Sequence, residues 1–336
     1  MGDHTDYHDG LVLPVAIDLS IALTSRQTED GRIRLRSSEM PDARDTIDIA
    51  ADGSDDPPGL WPAWGRYIAG VTRELAKLGR DPVGIEGVID SAVPPGAGLA
   101  SSAALEVCCA LALCDAAGLE LEARELAAAC MRAEGIAGGI RPGIMDQLVC
   151  LLGQENHALL IDCRTLDIEP IEIPPGIAIL IAHSGVPRAL EDTRYGELRE
   201  AGERVAAELG LPSLRDADPA LVADNPIGRH VTSENRRVTE TAVALRRGDL
   251  DRLGELFAES HASLRDDLEV GIPELDATVD ALLAAGAAAA RMTGGGFGGS
   301  VVALCDERKA AQIVLATRAT RVKPSAGALA GLTGTG

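Results

Sequence analysis

The chain has 336 residues, 46% of them apolar, which is enough to build the cores of two ordinary globular domains. Its formal net charge of −21 argues against a surface that neutralises nucleic-acid phosphates or anionic lipid, since both require clustered lysine and arginine. An anionic substrate would have to be met locally, by backbone N–H groups, a helix N-terminus or a metal ion.

The N-terminus, MGDHTDYHDG, has neither the basic start nor the apolar stretch of a signal peptide, so a cytoplasmic location is expected. Residues 11 to 50 read as short strands, LVLPVAIDLSIAL, GRIRLRSS and TIDIA, with polar residues between them. A turn cluster, ADGSDDPPG, precedes a helix on which Trp64, Tyr67, Ile68, Val71, Leu75 and Leu78 share one face. IEGVIDSAV alternates as a strand and runs through a Gly/Pro loop into a long apolar helix that ends at Gly118. A further helix, ARELAAACMRAEG, and a short one, GIMDQLVCLLG, follow.

HALLIDC and GIAILIAHS return to strands, with the acidic, Pro-rich DIEPIEIPPG between them. From Arg188 to about Ala285 the pattern is helical, broken at Gly210-Leu-Pro, Asn225-Pro and Gly271-Ile-Pro. Two strands around RMTGGGFGG, a helix near 307–318 and the small-residue tail Gly327–Gly336 close the chain. The seven cysteines (Cys108, Cys109, Cys114, Cys130, Cys150, Cys163, Cys305) form no CxxC pair and sit mostly in apolar runs, as buried thiols of a reducing cytosol do. Val107–Leu113 is far shorter than the roughly 20 residues of a membrane span, so no membrane anchor is expected.

Four segments carry chemistry. In Pro94-Pro95-Gly96-Ala97-Gly98-Leu99-Ala100-Ser101-Ser102, the glycines let backbone approach a ligand and the following helix offers unpaired N–H groups to a polyphosphate. Ser101 and Ser102 suit either a helix cap or a phosphate-bound Mg²⁺, and an ordinary capped helix is the competing reading. No Gly-Lys-Ser/Thr P-loop is present, and Ser101 stands where the third glycine of a dinucleotide fingerprint belongs. Near the C-terminus, five glycines fall within the six positions 294–299, an entropic cost that suggests a close approach to that backbone; a flexible hairpin turn is the alternative.

Asp146 lies among Ile144, Met145, Leu148 and Val149, where a carboxylate is expensive unless paired or used, so it is a candidate base, with an N-cap or a salt-bridged aspartate as the competing reading. Asp3, His4, Asp6, Tyr7, His8 and Asp9 could hold a polyol through paired hydrogen bonds; a frayed terminus is the plain alternative.

Taken together, these segments resemble the galactokinases of the GHMP small-molecule kinase superfamily over nearly the whole chain. GDHTDYHDGLVLP is similar to the galactokinase signature, VPPGAGLASSAALEV and RMTGGGFGG to the superfamily's second and third motifs, and PGIMDQ to the catalytic-aspartate segment; ESHASLRDDLEVGIPELD is also galactokinase-like. The resemblance implies an α+β fold with an N-terminal ribosomal-protein-S5-like domain over residues 1–155 and a C-terminal ferredoxin-like GHMP domain over residues 156–336. It implies transfer of the γ-phosphate of ATP, with Mg²⁺, to the anomeric hydroxyl of α-D-galactose.

Matched position by position, Asp146 falls on the catalytic aspartate, and Asp3, His4, Asp6, Gly143 and Tyr195 fall on sugar-contacting positions. Pro95, Gly96, Ala97, Gly98, Leu99, Ala100, Ser101 and Ser102 fall on the phosphate loop, Ser102 and Glu134 on the Mg²⁺ positions, and Trp64 on the border of the nucleotide. The expected partners are a small sugar and ATP, with no nucleic acid and no membrane, and a monomer is expected. The rival expectations are a GHMP kinase for galacturonate, arabinose or N-acetylgalactosamine, and a non-catalytic galactose/ATP sensor. Galactokinases also carry, just before the position of Gly2, a strand ending in an arginine-containing segment that stabilises the transferring phosphoryl group. This chain begins after it, and since every later motif is intact, a start codon assigned too far downstream is expected rather than a truncated form.

Overall fold

In the computed structural model, described over residues 1–38, 46–187 and 193–332, the α+β chain divides into two compact units. One gathers Met1–Asp18, Pro95–Leu99 and Gly153–Ala326, the other Leu19–Pro94, Ala100–Leu152 and Gly327–Gly336. Division by compactness therefore differs from a consecutive split after residue 155, because the N-terminal segment folds with the C-terminal half. Its strand β1 (Leu11–Val12) hydrogen-bonds β6 (His157–Asp162), with Leu11 opposite Asp162.

The unit containing Leu19–Pro94 is built on a four-stranded sheet of β2 (Ile21–Thr28), β3 (Arg32–Ser37), β4 (Thr46–Ala50) and β5 (Gly84–Ser91), ordered β2-β5-β3-β4. β3 runs parallel to β5, and the other pairs are antiparallel. Ile33, Leu35, Ile47 and Ile49 face the core, while Arg32, Arg34 and Asp48 point outward and pair across the strands. A sheet with one covered face requires that period of two.

Helix α2 (Ser101–Ala117) lies on β2 and β5, α1 (Trp64–Lys77) meets β4 at Gly65 and Ile47, α3 (Ala123–Gly138) and α4 (Met145–Leu152) pack on these helices, and a short α10 (Ala328–Leu332) packs on α4. α2 is buried around most of its circumference, which is why its sequence is apolar with no polar stripe. α1 and α3 approach closely at Gly70, where a Cβ would stand 2.8 Å from the Ala133 carbonyl oxygen. Each buried Ile or Leu in this core contributes ~1.5–3 kcal/mol.

The other unit holds two antiparallel sheets, β1-β6-β7 and β11-β8-β10-β9, with β7 (Ile168–Glu172), β8 (Ile177–His183), β9 (Ala289–Met292), β10 (Ser300–Asp306) and β11 (Thr320–Val322). Its helices are α5 (Thr193–Glu208), α6 (Pro226–Arg247), α7 (Leu250–Asp266), α8 (Pro273–Ala284) and α9 (Glu307–Thr317). The main core joins Leu180, Val301 and Met292 of the larger sheet to Leu264, Leu275, Leu282 and Ile313 of the helices. The break at Asn225-Pro starts α6: the Asn225 side chain accepts from the Gly228 N–H, and Pro226 occupies the first turn. The helical pattern expected from Arg188 begins outside the described residues, as does the end of the tail from residue 333.

Two segments depart from the sequence pattern. The Pro-rich stretch after β6 contains the strand β7, with Ile171 fully buried and Pro170 opposite Leu159. An edge strand tolerates proline because its outer N–H positions have no partner to lose. LVLPVAIDLSIAL is not one strand: it splits into β1 and β2, which join different sheets, and the chain passes from one unit to the other at Asp18–Leu19.

Candidate active site

The first ten residues form a knot rather than a frayed end. Thr5 N–H donates to the Gly2 carbonyl and Gly10 N–H to the Thr5 carbonyl, closing a 3-10 turn over Asp6–His8. Asp3 is buried; its Oδ2 accepts from Arg291 Nη2 at 2.6 Å and its Oδ1 from the Gly294 N–H at 2.8 Å. Burial works to raise the Asp3 carboxyl, but the Arg291 guanidinium and the N-terminal amine outweigh it and hold the group well below the usual carboxylate range. The His230 Nε2–H donates to the Asp3 carbonyl at 3.0 Å. Glu234, also fully buried, accepts from the Gly2 N–H at 3.0 Å, Ser260 at 2.9 Å and Arg237 at 2.6 Å. Burial pushes its carboxyl up, and Arg237, Arg291 and His230 bring it down to about 2.

This frame presents a polar face. His4 sits in the left-handed region at φ 62°, held by Tyr7 Oη at 2.6 Å from Nδ1 and the Gly295 carbonyl at 3.3 Å from Nε2. Because a carbonyl only accepts, a ring with a single proton carries it on Nε2 and takes the Tyr7 hydroxyl proton on Nδ1. The Tyr195 ring of α5 lies tilted against His4, with centroids 5.2 Å apart, and edge-on to Tyr7 at 5.3 Å. Asp6 is partly buried and accepts from the Tyr7 N–H at 3.0 Å; burial raises its carboxyl to about 6. Asp3, His4, Asp6 and Tyr195 thus come together, although both oxygens of Asp3 are already engaged by the protein.

The glycine-rich segment explains its own composition in the same unit. Gly299 lies so close to the loop 95–99 that a Cβ would stand 3.0 Å from the Ala97 carbonyl oxygen, and one on Gly296 would stand 2.4 Å from the Val270 carbonyl oxygen. Ser300 Oγ donates to the Ala97 carbonyl at 2.7 Å. Gly294 and Gly299 therefore admit the backbone of Pro95–Leu99, while Gly296 and Gly298 admit that of Val270 and Val186.

In the other unit, Ala100 takes a left-handed conformation at the start of α2 and makes no side-chain cap, so neither Ser101 nor Ser102 is the N-cap. Ser102 Oγ instead donates to Glu134 Oε1 at 2.6 Å. Gln147 Nε2 donates to Glu134 Oε2 at 2.8 Å and to Glu106 Oε2 at 3.1 Å. Glu106 is fully buried in α2; burial first, and then the Glu134 charge, raise its carboxyl well above the ordinary value. Asp146 is partly buried in the first turn of α4, where helical N–H groups favour a negative charge, and Gly143 lies in the irregular segment leading to it. Trp64 opens α1, and its indole N–H is buried with no hydrogen bond among the described residues.

Sequence reasoning passed over Arg291, Glu234, Glu106 and Gln147. A charged residue inside an apolar run was the available signal for Glu106 in ALEVCCALAL and for Arg291 in AARM. Among the described residues no group of three or more His, Cys, Asp or Glu is arranged to hold a metal. The Ser102 and Glu134 pair nevertheless fits a hard cation: the hydroxyl spends its proton on the carboxylate, and only oxygen lone pairs remain to be offered.

Three family descriptions match the chain: "GHMP kinases N terminal domain" over residues 66–154, "GHMP kinases C terminal" over residues 241–321, and "Galactokinase galactose-binding signature" over residues 1–26. Among solved structures it is similar to a Lactococcus lactis galactokinase complexed with galactose, at 30% identity and a TM-score of 0.87, with 97% of this chain and 91% of that one covered. A Methanococcus jannaschii mevalonate kinase shares the fold at 17% identity and a TM-score of 0.69, with 96% and 94% covered. An L. major mevalonate kinase in complex with R-mevalonate shares it at 19% identity and a TM-score of 0.67, with 97% and 93% covered. The chain has the two-domain GHMP kinase fold, and it belongs to the galactokinases within the GHMP kinase family.

Proposed function

We propose that this chain transfers the γ-phosphoryl group of ATP to the anomeric hydroxyl of α-D-galactose, giving galactose 1-phosphate and ADP. The observation that carries the proposal is the galactose-binding signature over residues 1–26, folded as a knot in which His4, Asp6 and Tyr195 cluster. Their donors and acceptors suit a polyol, each of whose hydroxyls both donates and accepts.

The uncapped start of α2 and the loop 95–102 would take the triphosphate on backbone N–H groups, which a strongly acidic protein needs in place of global attraction. Ser102 and Glu134 would hold Mg²⁺, which when bound neutralises charge on the phosphate oxygens. The anomeric oxygen attacks the γ-phosphorus, the bond to the β-phosphate oxygen breaks, and ADP leaves. The hydroxyl proton passes to the Asp146 carboxylate. Gly143 would border the sugar and Trp64 the base of the nucleotide.

No helix among the described residues is long and apolar enough to cross a membrane, and all seven cysteines are free. The thiols support a reducing cytoplasmic setting, in which a monomer acts on small molecules. The test is kcat/KM for galactose, galacturonate, arabinose and N-acetylgalactosamine with ATP and Mg²⁺. Galactose should lead; a higher value for another sugar rejects the assignment, and tight binding of galactose and ATP without product would make the chain a sensor.

A further inference from the structure

The oxygen pair that would face the cation is not self-supporting. Glu134 sits on α3 and Ser102 on α2, and neither helix alone fixes the carboxylate's rotation. A third element does so. Gln147, fully buried on α4, turns its amide nitrogen toward two carboxyl groups, 2.8 Å from Glu134 Oε2 and 3.1 Å from Glu106 Oε2. An amide nitrogen has two protons, and these two contacts use both. The opposite amide orientation would set the Gln147 carbonyl oxygen against two acceptor oxygens, Glu134 Oε2 and Glu106 Oε2, so the hydrogen bonds themselves fix the flip. Both oxygens of Glu134 are then held, one by the Ser102 hydroxyl and one by the Gln147 amide.

We propose that Gln147 is a positioning residue for phosphoryl transfer: anchored on the buried Glu106, its amide fixes the Glu134 carboxylate beside Ser102 so that the pair presents its remaining lone pairs to a divalent cation. The proposal rests on the assignment of Ser102 and Glu134 as the cation site. Glu106 serves as the fixed end because it is fully buried in α2, and its Oε1, like the Gln147 Oε1, has no partner among the described residues. Asp146 precedes Gln147 in the same helical turn, so the amide also ties down the turn that carries the candidate base. Partners that orient a metal-ligating group in this way contribute about 10–100-fold to metal affinity.

The test is Mn²⁺ binding to the full chain in the presence of ADP, followed by electron paramagnetic resonance, together with calorimetric titration of ADP without metal. Gln147→Leu should weaken Mn²⁺ binding about 10-fold or more while leaving metal-free ADP and galactose affinity unchanged. Glu106→Leu, which removes the anchor and fills its space, should do the same and supplies the answer if Gln147→Leu does not fold. Glu106→Gln keeps an acceptor for the amide and should restore affinity to within about three-fold of wild type. Wild-type Mn²⁺ affinity in Gln147→Leu or Glu106→Leu, with Glu134→Ala weakened, overturns the positioning role and leaves the cation site standing. Wild-type Mn²⁺ affinity in Glu134→Ala overturns the cation site and the positioning role together.

Discussion

In the unit built around the N-terminal knot, Asp3 and Glu234 each lie against a guanidinium, whereas in the other unit Glu106 and Glu134 share one amide and neither pairs with an arginine or lysine among the described residues. Burial is comparable for Asp3, Glu234 and Glu106, yet the first two carboxyls are pulled down and the third is pushed up. The sign of the shift follows the neighbouring charge rather than depth. A cluster saturated by its own arginines serves as a frame. A cluster with surplus carboxylate and hydroxyl oxygens suits a cation supplied from solution, as Mg²⁺ would be with ATP.

The sharpest break between the two regions is catalytic. Asp146→Ala should lower kcat by about 10³-fold while ATP affinity, measured by calorimetry, stays near wild type. Wild-type turnover would remove Asp146 from the mechanism. Next comes the frame: Arg291→Met strands the buried Asp3 carboxylate and should lower unfolding free energy by ~3–5 kcal/mol in urea titrations. A loss below ~1 kcal/mol would mean the pair does not hold the knot together.

The two buried glutamates should then answer pH with opposite signs. Glu234 has a folded pKa of about 2, below its unfolded value, so its contribution is complete above that unfolded value and fades as pH falls toward 2. Glu234→Gln should therefore cost up to ~3 kcal/mol near neutral pH, and the gap to wild type should close in acid. Glu106 has a raised pKa, so holding its proton costs stability once pH exceeds the unfolded value. Glu106→Gln should stabilise the protein at pH 8, and the gain should vanish as pH falls to the unfolded value. Shifts of the same sign in both variants would refute the contrast. The smallest effect concerns Asp6, whose carboxyl is raised to about 6 by burial. Its protonation removes an acceptor, so the KM for galactose should rise about four-fold from pH 8 to pH 5.5, and Asp6→Asn should abolish that pH dependence.

Legibility in the sequence follows the range of each interaction. The Gly-x-Gly loop, the serine pair and Asp146 are local features, and each stands at a helix start that the pattern predicts. The tie from Arg291 to Asp3 spans 288 residues and that from Gly2 to Glu234 spans 232, so no local window contains either one. Five glycines at 294–299 predict a close approach, but which backbone approaches is set by the packing of the loop 95–99, Val186 and Val270. β7 was obscured because Pro170 reads as a breaker until its place at a sheet edge is known. The N-terminal cluster was legible as a polyol-binding set, but its folding was not: a short polar terminus ordinarily frays, and burial of Asp3 and Glu234 reverses that expectation.

Phosphoryl transfer to the anomeric oxygen is tested most directly by ³¹P nuclear magnetic resonance of the full chain incubated with galactose, ATP and Mg²⁺. The γ-phosphate resonance should be replaced by that of an α-anomeric sugar phosphate, with ADP in equal amount. Persistence of the ATP signals while galactose is bound, or phosphate appearing at another hydroxyl, would contradict it.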